Sequence, residues 1–533
     1  MRAPAAQLRF LRRREFPALG SRRDQSADGR VEAERSGWRG SPAPVWPVLI
    51  GCLVLAGISL LAPSTPTYDP WAWILWGREI AHLDLNTRGG PSWKPFPLFF
   101  TIPFSVTGTH VAPYLWLLIA RAGGLLACAM AYRVARRLVG GFYGVFAGIL
   151  AALALFSSFK FVRDAALGNS EALLAGLVLW AFERHMDGRR DHALYLGFAA
   201  ALLRPEAWPF LGLYGIYLWF KDPNLRLRLA VFALLIPVLW FGPELWGSGD
   251  ALRASSRANN PNPGSAAFAE HPALELVSRF RKVVIAPIKG GIIVASIYAI
   301  VMWVRRRKEG PTLAILVGGL AWFCLVAGMT EAGYAGNQRY LIVSTGAAAV
   351  LGGVGGARVL QGVGALVQHF TGSWRKGAAA AAAFFVFAFA VSFPFVVEKA
   401  NNSERVSGGL DHEAALWKDL KTLLDREGGP KRLLACGGVF SGPFQTQMVA
   451  WELHIHGIQV GWRSTTPPGV AFRTRTVPDG PLVVKPSDGR FRQVAHVGKW
   501  RMLTVPPQGG SGRCPSAGPG APTAPIPAGR NAP

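Results

Sequence analysis

Apolar residues fall along this chain in blocks of about 15–22, each long enough to cross a hydrocarbon core of roughly 30 Å as a helix. Polar residues gather between the blocks. The stretches 45–62, 111–132, 141–158, 171–183, 228–243, 284–304, 311–329, 340–357 and 377–397 read as single helices. The stretch 192–220 has basic residues at both ends and "LLRPEAWPF" in its middle. Pro205 and Pro209 break a helix there, which predicts a hairpin of two short helices. The sum is a polytopic α-helical membrane protein with about eleven transmembrane helices.

Charge then orients the helices. The basic clusters "YRVARR", "ERHMDGRRD", "KDPNLRLR", "RRRK" and "SWRK" alternate with polar loops that lack them, as cytoplasmic loops do. "SRFRK" at 278–282 is the exception. This places the chain in the cell membrane, multi-pass, with a cytoplasmic N-terminus and an extracytoplasmic C-terminal region. The same distribution turns the formal charge of +26 away from nucleic acid and towards lipid headgroups. Residues 1–44 read as a disordered basic arm on the cytoplasmic side. The block 45–62 lacks an A-x-A-like cleavage site and reads as a retained helix. The transmembrane domain then spans 45–398.

Beyond the last apolar block, "DHEAALWKDLKTLLDREG" has helical spacing and ends at a glycine. "KRLLACGGVF", "GIQVGWRS", "GPLVVKP" and "GKWRMLTV" read as short strands. Residues 399–505 are thus a small extracytoplasmic α/β domain, and the Pro/Gly/Ala-rich 506–533 a disordered tail. An extracytoplasmic location permits a disulfide between Cys436 and Cys514. "HIH" at 454–456 lacks a third ligand for a metal. The glycine run "GGVGGA" at 352–357 ends a membrane helix and follows no strand, so it is no phosphate loop.

The polar residues on the outer side are the candidate chemistry. "TPTYDPWAWILWGREI" sets Asp69 directly after the first apolar block, beside Trp71 and Trp73. Asp69 suits a helix cap, and equally a fixed carboxylate base. In "PSWKPFPLFF", Trp93 and Lys94 precede an apolar run, where a lysine snorkels or meets a lipid phosphate. Glu171 opens a helix in "GNSEALLAG", Arg204 and Glu206 sit at the hairpin turn, and Arg339 and Tyr340 begin the helix 340–357. Ionisable groups at membrane depth are expensive, so they pair or they function.

This order of motifs resembles the C-type (GT-C) membrane glycosyltransferases over roughly residues 45–400, in particular aminoarabinose transferases, protein O-mannosyltransferases and actinobacterial lipid-linked mannosyl- or arabinosyltransferases. The resemblance implies a GT-C fold and an inverting transferase that moves a sugar from a polyprenyl-phosphate donor to an extracytoplasmic glycan, lipid or protein. It implies Asp69 as the first-loop catalytic aspartate and Glu171 in place of a second acid. It puts Lys94 of "KPFP", with Arg204, Arg339 and Tyr340, at the donor's phosphate. Trp71, Trp73 and Trp93 then supply sugar-facing or interfacial aromatics. No D-x-D pair stands near Asp69, which leaves a divalent metal open and assigns it no ligand. The residues are also compatible with a transporter or lipid flippase, although no pair of matching interrupted helices marks two halves. A third reading is an assembly protein that binds through 399–505.

Overall fold

The computed structural model describes residues 44–517, apart from 284, 307, 308 and 464, together with 525. The predicted arm 1–44 therefore lies outside the described residues except for Pro44.

In chain order the helices are α1 (Trp46–Ser59), α2 (Tyr68–Ala81), α3 (Pro95–Phe104), α4 (Ala112–Val139), α5 (Gly141–Phe156), α6 (Phe159–Ala166) and α7 (Glu171–Met186). Then follow α8 (Arg190–Leu203), α9 (Trp208–Lys221), α10 (Arg226–Ser248), α11 (Arg253–Ala258), α12 (Pro272–Arg281), α13 (Ala286–Val304), α14 (Gly310–Glu331), α15 (Ile342–Thr371) and α16 (Trp374–Arg426). All eleven predicted crossings are helical. By length and apolarity, six described helices can cross a membrane, or up to seven if the bent pair α5–α6 is one span. The remaining four, α1, α7, α8 and α9, have only 14 to 16 residues. The chain is a multi-pass helical membrane protein.

Helix α15 is the axis of the bundle, and its glycines explain how. The run 352–357 does not end a helix; α15 continues to Thr371. A Cβ on Gly355 would stand 1.8 Å from the carbonyl oxygen of Gly291 on α13, and one on Gly353 would stand 2.2 Å from that of Ala147 on α5. Small residues let backbones approach, which is how helices pack in lipid without a hydrophobic drive between them.

The C-terminal region is built on α17 (Gly429–Leu434), α18 (Thr446–Leu453) and the strands β1 (Gly438–Ser441), β2 (Val460–Gly461), β3 (Gly469–Arg475), β4 (Leu482–Val483), β5 (Arg492–Val497) and β6 (Trp500–Val505). The sheet order is β2-β1-β3-β6-β5, with β1 parallel to both neighbours, β6 antiparallel to β3 and β5, and β4 paired to β3. Three of the four predicted strands are present; "KRLLACGGVF" is half helix, half strand, while β3 and β5 are additional. No linker divides this domain from the bundle at 399, because α16 runs unbroken for 53 residues from one into the other. The tail is also not free at its start: Cys436 and Cys514 form a disulfide, Arg432 Nε donates to the Cys514 carbonyl, and Thr504 Oγ1 donates to that of Gly512.

One hydrophobic core joins the loop between α1 and α4 to the C-terminal domain. Trp71, Trp73 and Trp76 of α2 share it with Leu416 and Trp417 of α16, Val449 and Trp451 of α18, and Trp500 of β6. Trp71 meets Trp417 at 5.1 Å between ring centroids, and Trp73 meets Trp116 at 5.5 Å. Trp71, Trp73 and Trp93, expected to face a sugar or the membrane interface, are instead all buried, with Trp93 packed on Trp76. Each aromatic ring placed here brings a large apolar area out of water, and the domain above α2 is what covers it.

Candidate active site

The site lies at the end of the bundle that carries the C-terminal domain. Local chain chemistry presents two of its cations. Lys94 and Arg204 each precede a proline, and a residue before proline is driven out of the helical region. Lys94 accordingly has φ −144° and ψ 117°, immediately before α3, and Arg204 has φ −151° and ψ 134°, immediately after α8. Helix α3 starts after Lys94 and α8 stops before Arg204, so both residues stand in extended backbone outside a helix and neither side chain is bound to a helix face. Asp69 is not the cap of α2, since that position is Thr67. It is the second residue, fixed in the first turn ahead of Pro70.

The side chains converge on Glu171, which is 1% exposed. Its Oε1 accepts from Lys94 Nζ at 3.2 Å and from Arg204 Nη1 at 3.0 Å, with Arg339 Nε at 3.8 Å. Lys94 Nζ also donates to Ser170 Oγ at 3.0 Å and lies 4.9 Å from the centroid of Trp73. Arg204 forks onto Glu206, Nε to Oε2 at 3.1 Å and Nη2 to Oε1 at 2.6 Å. The Tyr334 hydroxyl accepts from Arg204 Nη2 and donates to Glu206 Oε1, both at 2.9 Å. The Arg204 guanidinium stacks on the Tyr340 ring at 3.8 Å. Arg339 Nη2 donates to Asp69 Oδ2 at 2.7 Å, and its Nη1 to Asn169 Oδ1 at 3.0 Å.

Three carboxylates, Asp69, Glu171 and Glu206, thus face three cations, Lys94, Arg204 and Arg339. A buried charge without a partner costs several kcal/mol, so the set stands or falls together. Within it the acids differ. Glu171, among three cations, and Glu206, held by Arg204 and Tyr334, are each 1% exposed, whereas Asp69 is 9% exposed, at the rim. Glu171 is the carboxylate that all three cations approach, and Asp69 the most exposed of the three acids.

The structure therefore brings together Asp69, Lys94, Glu171, Arg204, Arg339 and Tyr340, all six expected from the sequence. It adds Asn169, Ser170 and Tyr334. The first two adjoin Glu171 in "GNSE", and Tyr334 lies in "TEAGYAGNQRY" beside Arg339, so proximity along the chain was the available signal. Among the described residues no three His, Cys, Asp or Glu side chains are grouped to hold a metal ion. His456 of "HIH" instead docks the C-terminal domain, with Nδ1 2.8 Å from Glu79 Oε1 and Nε2 3.2 Å from Asp84 Oδ2.

Beneath Tyr340 and Arg204 an apolar groove of about 520 Å³ opens between α7, α8, α9, α14 and α15. Val178, Leu179, Phe182, Phe210 and Trp322 line it, along with Ala207 and Val343, each three residues beyond a site residue. Trp322 Nε1 donates to the Tyr340 carbonyl at 2.9 Å and ties groove to site.

No family model matches the chain, and no curated protein matches it. Solved structures do. ArnT from Cupriavidus metallidurans bound to undecaprenyl phosphate aligns at a TM-score of 0.49 and 14% identity, over 86% of this chain and 97% of that one. Its apo state aligns at 0.49 and 16%, over the same shares. The Archaeoglobus fulgidus oligosaccharyltransferase, tethered to an acceptor peptide, aligns at 0.45 and 14%, over 78% of this chain and 64% of that one. The likeness is one of overall fold, and the functional reading that follows rests on the geometry of the site.

Proposed function

We propose that the protein is an inverting membrane glycosyltransferase that moves a sugar from a polyprenyl-phosphate donor to an acceptor on the extracytoplasmic side. The observation that carries this reading is the convergence of Lys94, Arg204 and Arg339 beside one rim carboxylate, Asp69, at the head of an apolar groove. A polyprenyl-phosphate sugar has the matching parts: an apolar chain, an anionic linker and a polar ring.

The chemistry follows from those parts. Asp69 takes the proton of the acceptor hydroxyl, and the acceptor oxygen attacks the anomeric carbon from the face opposite the phosphate. The bond from that carbon to the phosphate oxygen breaks, and its electron pair stays on the oxygen. The leaving phosphate gains charge as it departs, and pre-placed cations stabilise it most in the transition state. Because phosphate leaves as an anion, no general acid is needed. Glu171 keeps the three cations in position before substrate arrives.

Asp69→Asn tests this directly. Transfer of labelled sugar from a polyprenyl-phosphate donor is expected to fall roughly 10²- to 10⁴-fold, the usual value of a positioned base. Binding of the bare polyprenyl phosphate should persist. Turnover within threefold of the parent would remove Asp69 from this role.

A further inference from the structure

Arg339 divides its guanidinium three ways. Nη2 and Nη1 are bonded to Asp69 and Asn169, but Nε has no hydrogen-bond partner among the described residues although it is buried. Glu171 shows the complementary defect. Its Oε1 takes the contacts from Lys94 and Arg204, while Oε2 is buried with no hydrogen-bond partner among the described residues. Buried polar atoms are rarely left so, since each costs about 1–3 kcal/mol.

Both residues line one small cleft, together with Lys160, Asp164, Gln338 and Thr345. The space open to the centre of a water-sized group is only about 20 Å³, room for one such group. The residues that carry the unmet N–H and the unmet carboxylate oxygen line one space, which Lys160 and Asp164 keep balanced in charge, and that favours a neutral occupant. A phosphate or carboxylate would satisfy Arg339 Nε and repel Glu171. An ammonium would satisfy Glu171 and repel Arg339. A hydroxyl accepts from one and donates to the other.

We infer that this cleft is the sugar-selecting subsite: one hydroxyl of the transferred sugar enters it, accepts from Arg339 Nε and donates to Glu171 Oε2, with the ring at the mouth. The assignment rests on the transferase reading above. It also gives Arg339 a second duty, because the guanidinium that holds the sugar at one end holds Asp69 at the other.

The test uses the intact protein. Farnesyl phosphates carrying mannose, glucose, galactose or arabinose are screened for transfer, and the donor that is used is then remade in singly deoxygenated forms. One deoxy position should lose kcat/KM by at least about 100-fold, because a site built to bond a hydroxyl is left with unpaired buried groups when it is missing. The others should change little. Thr345→Leu, which narrows the cleft, should raise the donor KM at least about tenfold while bare farnesyl phosphate binds within twofold of the parent. A deoxy series in which every donor reacts within threefold of the parent overturns the subsite and leaves water as its occupant. Equal losses of donor and bare farnesyl phosphate binding in Thr345→Leu also overturn it, by placing the carrier phosphate in the cleft. If every intact sugar donor is inert while farnesyl phosphate binds, the transferase reading itself fails, a result distinct from a flat deoxy series.

Discussion

Arg339 cannot be replaced by another cation without loss, because its geometry is what matters. A lysine ammonium is a point charge and cannot hold Asp69 and Asn169 while also facing Glu171, as the planar fork does. Arg339→Lys is therefore expected to lower kcat at least about 100-fold, with the protein still folded, since small displacements of a base cost that much; steady-state kinetics on the purified variant checks it. At the other end of α2 the residues set a pH dependence. The bond to Glu79 raises the His456 pKa above its ordinary 6.5, and burial raises that of Glu79. A raised folded-state pKa contributes stability that is complete below the unfolded value and is lost as pH climbs through the folded one. For His456 the loss begins near its ordinary 6.5, so this bond weakens from near-neutral pH upward, while the Glu79 contribution begins to fall lower, from its ordinary 4.5. Melting of the parent should fall as pH rises from 6 to 9, and His456→Ala should flatten that slope. What could be read from the chain at this scale was whatever adjoins a proline or a helix start. Lys94, Arg204 and Glu171 qualify, because their presentation is local. The bond between Arg339 and Asp69 spans 270 residues, and that between His456 and Glu79 spans 377, and no local pattern encodes such partners.

Among the elements, α15 is the least tolerant. Gly355 lies against the Gly291 backbone, where not even a methyl group fits. Gly355→Leu must force α15 and α13 apart and should cost more than the about 1–3 kcal/mol of ordinary overpacking. The expected result is loss of folded, monodisperse protein in detergent, read by size-exclusion chromatography, whereas Gly362→Leu, with nothing within 4 Å, should be tolerated. The helices themselves were legible because apolar blocks and basic clusters are strong local signals. The ends of α15 were not, since glycine marks both a helix stop and a close helix contact, and only the neighbour decides between them. The same ambiguity misled the reading of Trp71, Trp73 and Trp93. An aromatic loop after a membrane helix can lie at an interface or in a core, and here α16 and α18 cover Trp71, α4 packs on Trp73, and Trp76 and α10 hold Trp93.

For the whole molecule, that shared core means that the C-terminal domain is part of the scaffold of the candidate site. It covers the helix that carries Asp69, and Arg78 of that helix donates to the Trp451 carbonyl at 2.9 Å and stacks on its ring at 4.4 Å. Truncation at residue 427 should therefore abolish transfer and expose α2 to limited proteolysis; a truncated protein that retains transfer would show the domain to be separable. The helix α16 extends the point. Its 53 residues amount to about 80 Å of continuous rod, far more than a bilayer needs. Its apolar first part lies among the bundle helices, and its later part, through Leu416 and Trp417, shares a core with the tryptophans of α2, Trp417 meeting Trp71 directly. A tilt imposed on it by the thickness of the surrounding bilayer would thereby reach α2, the helix that holds Asp69.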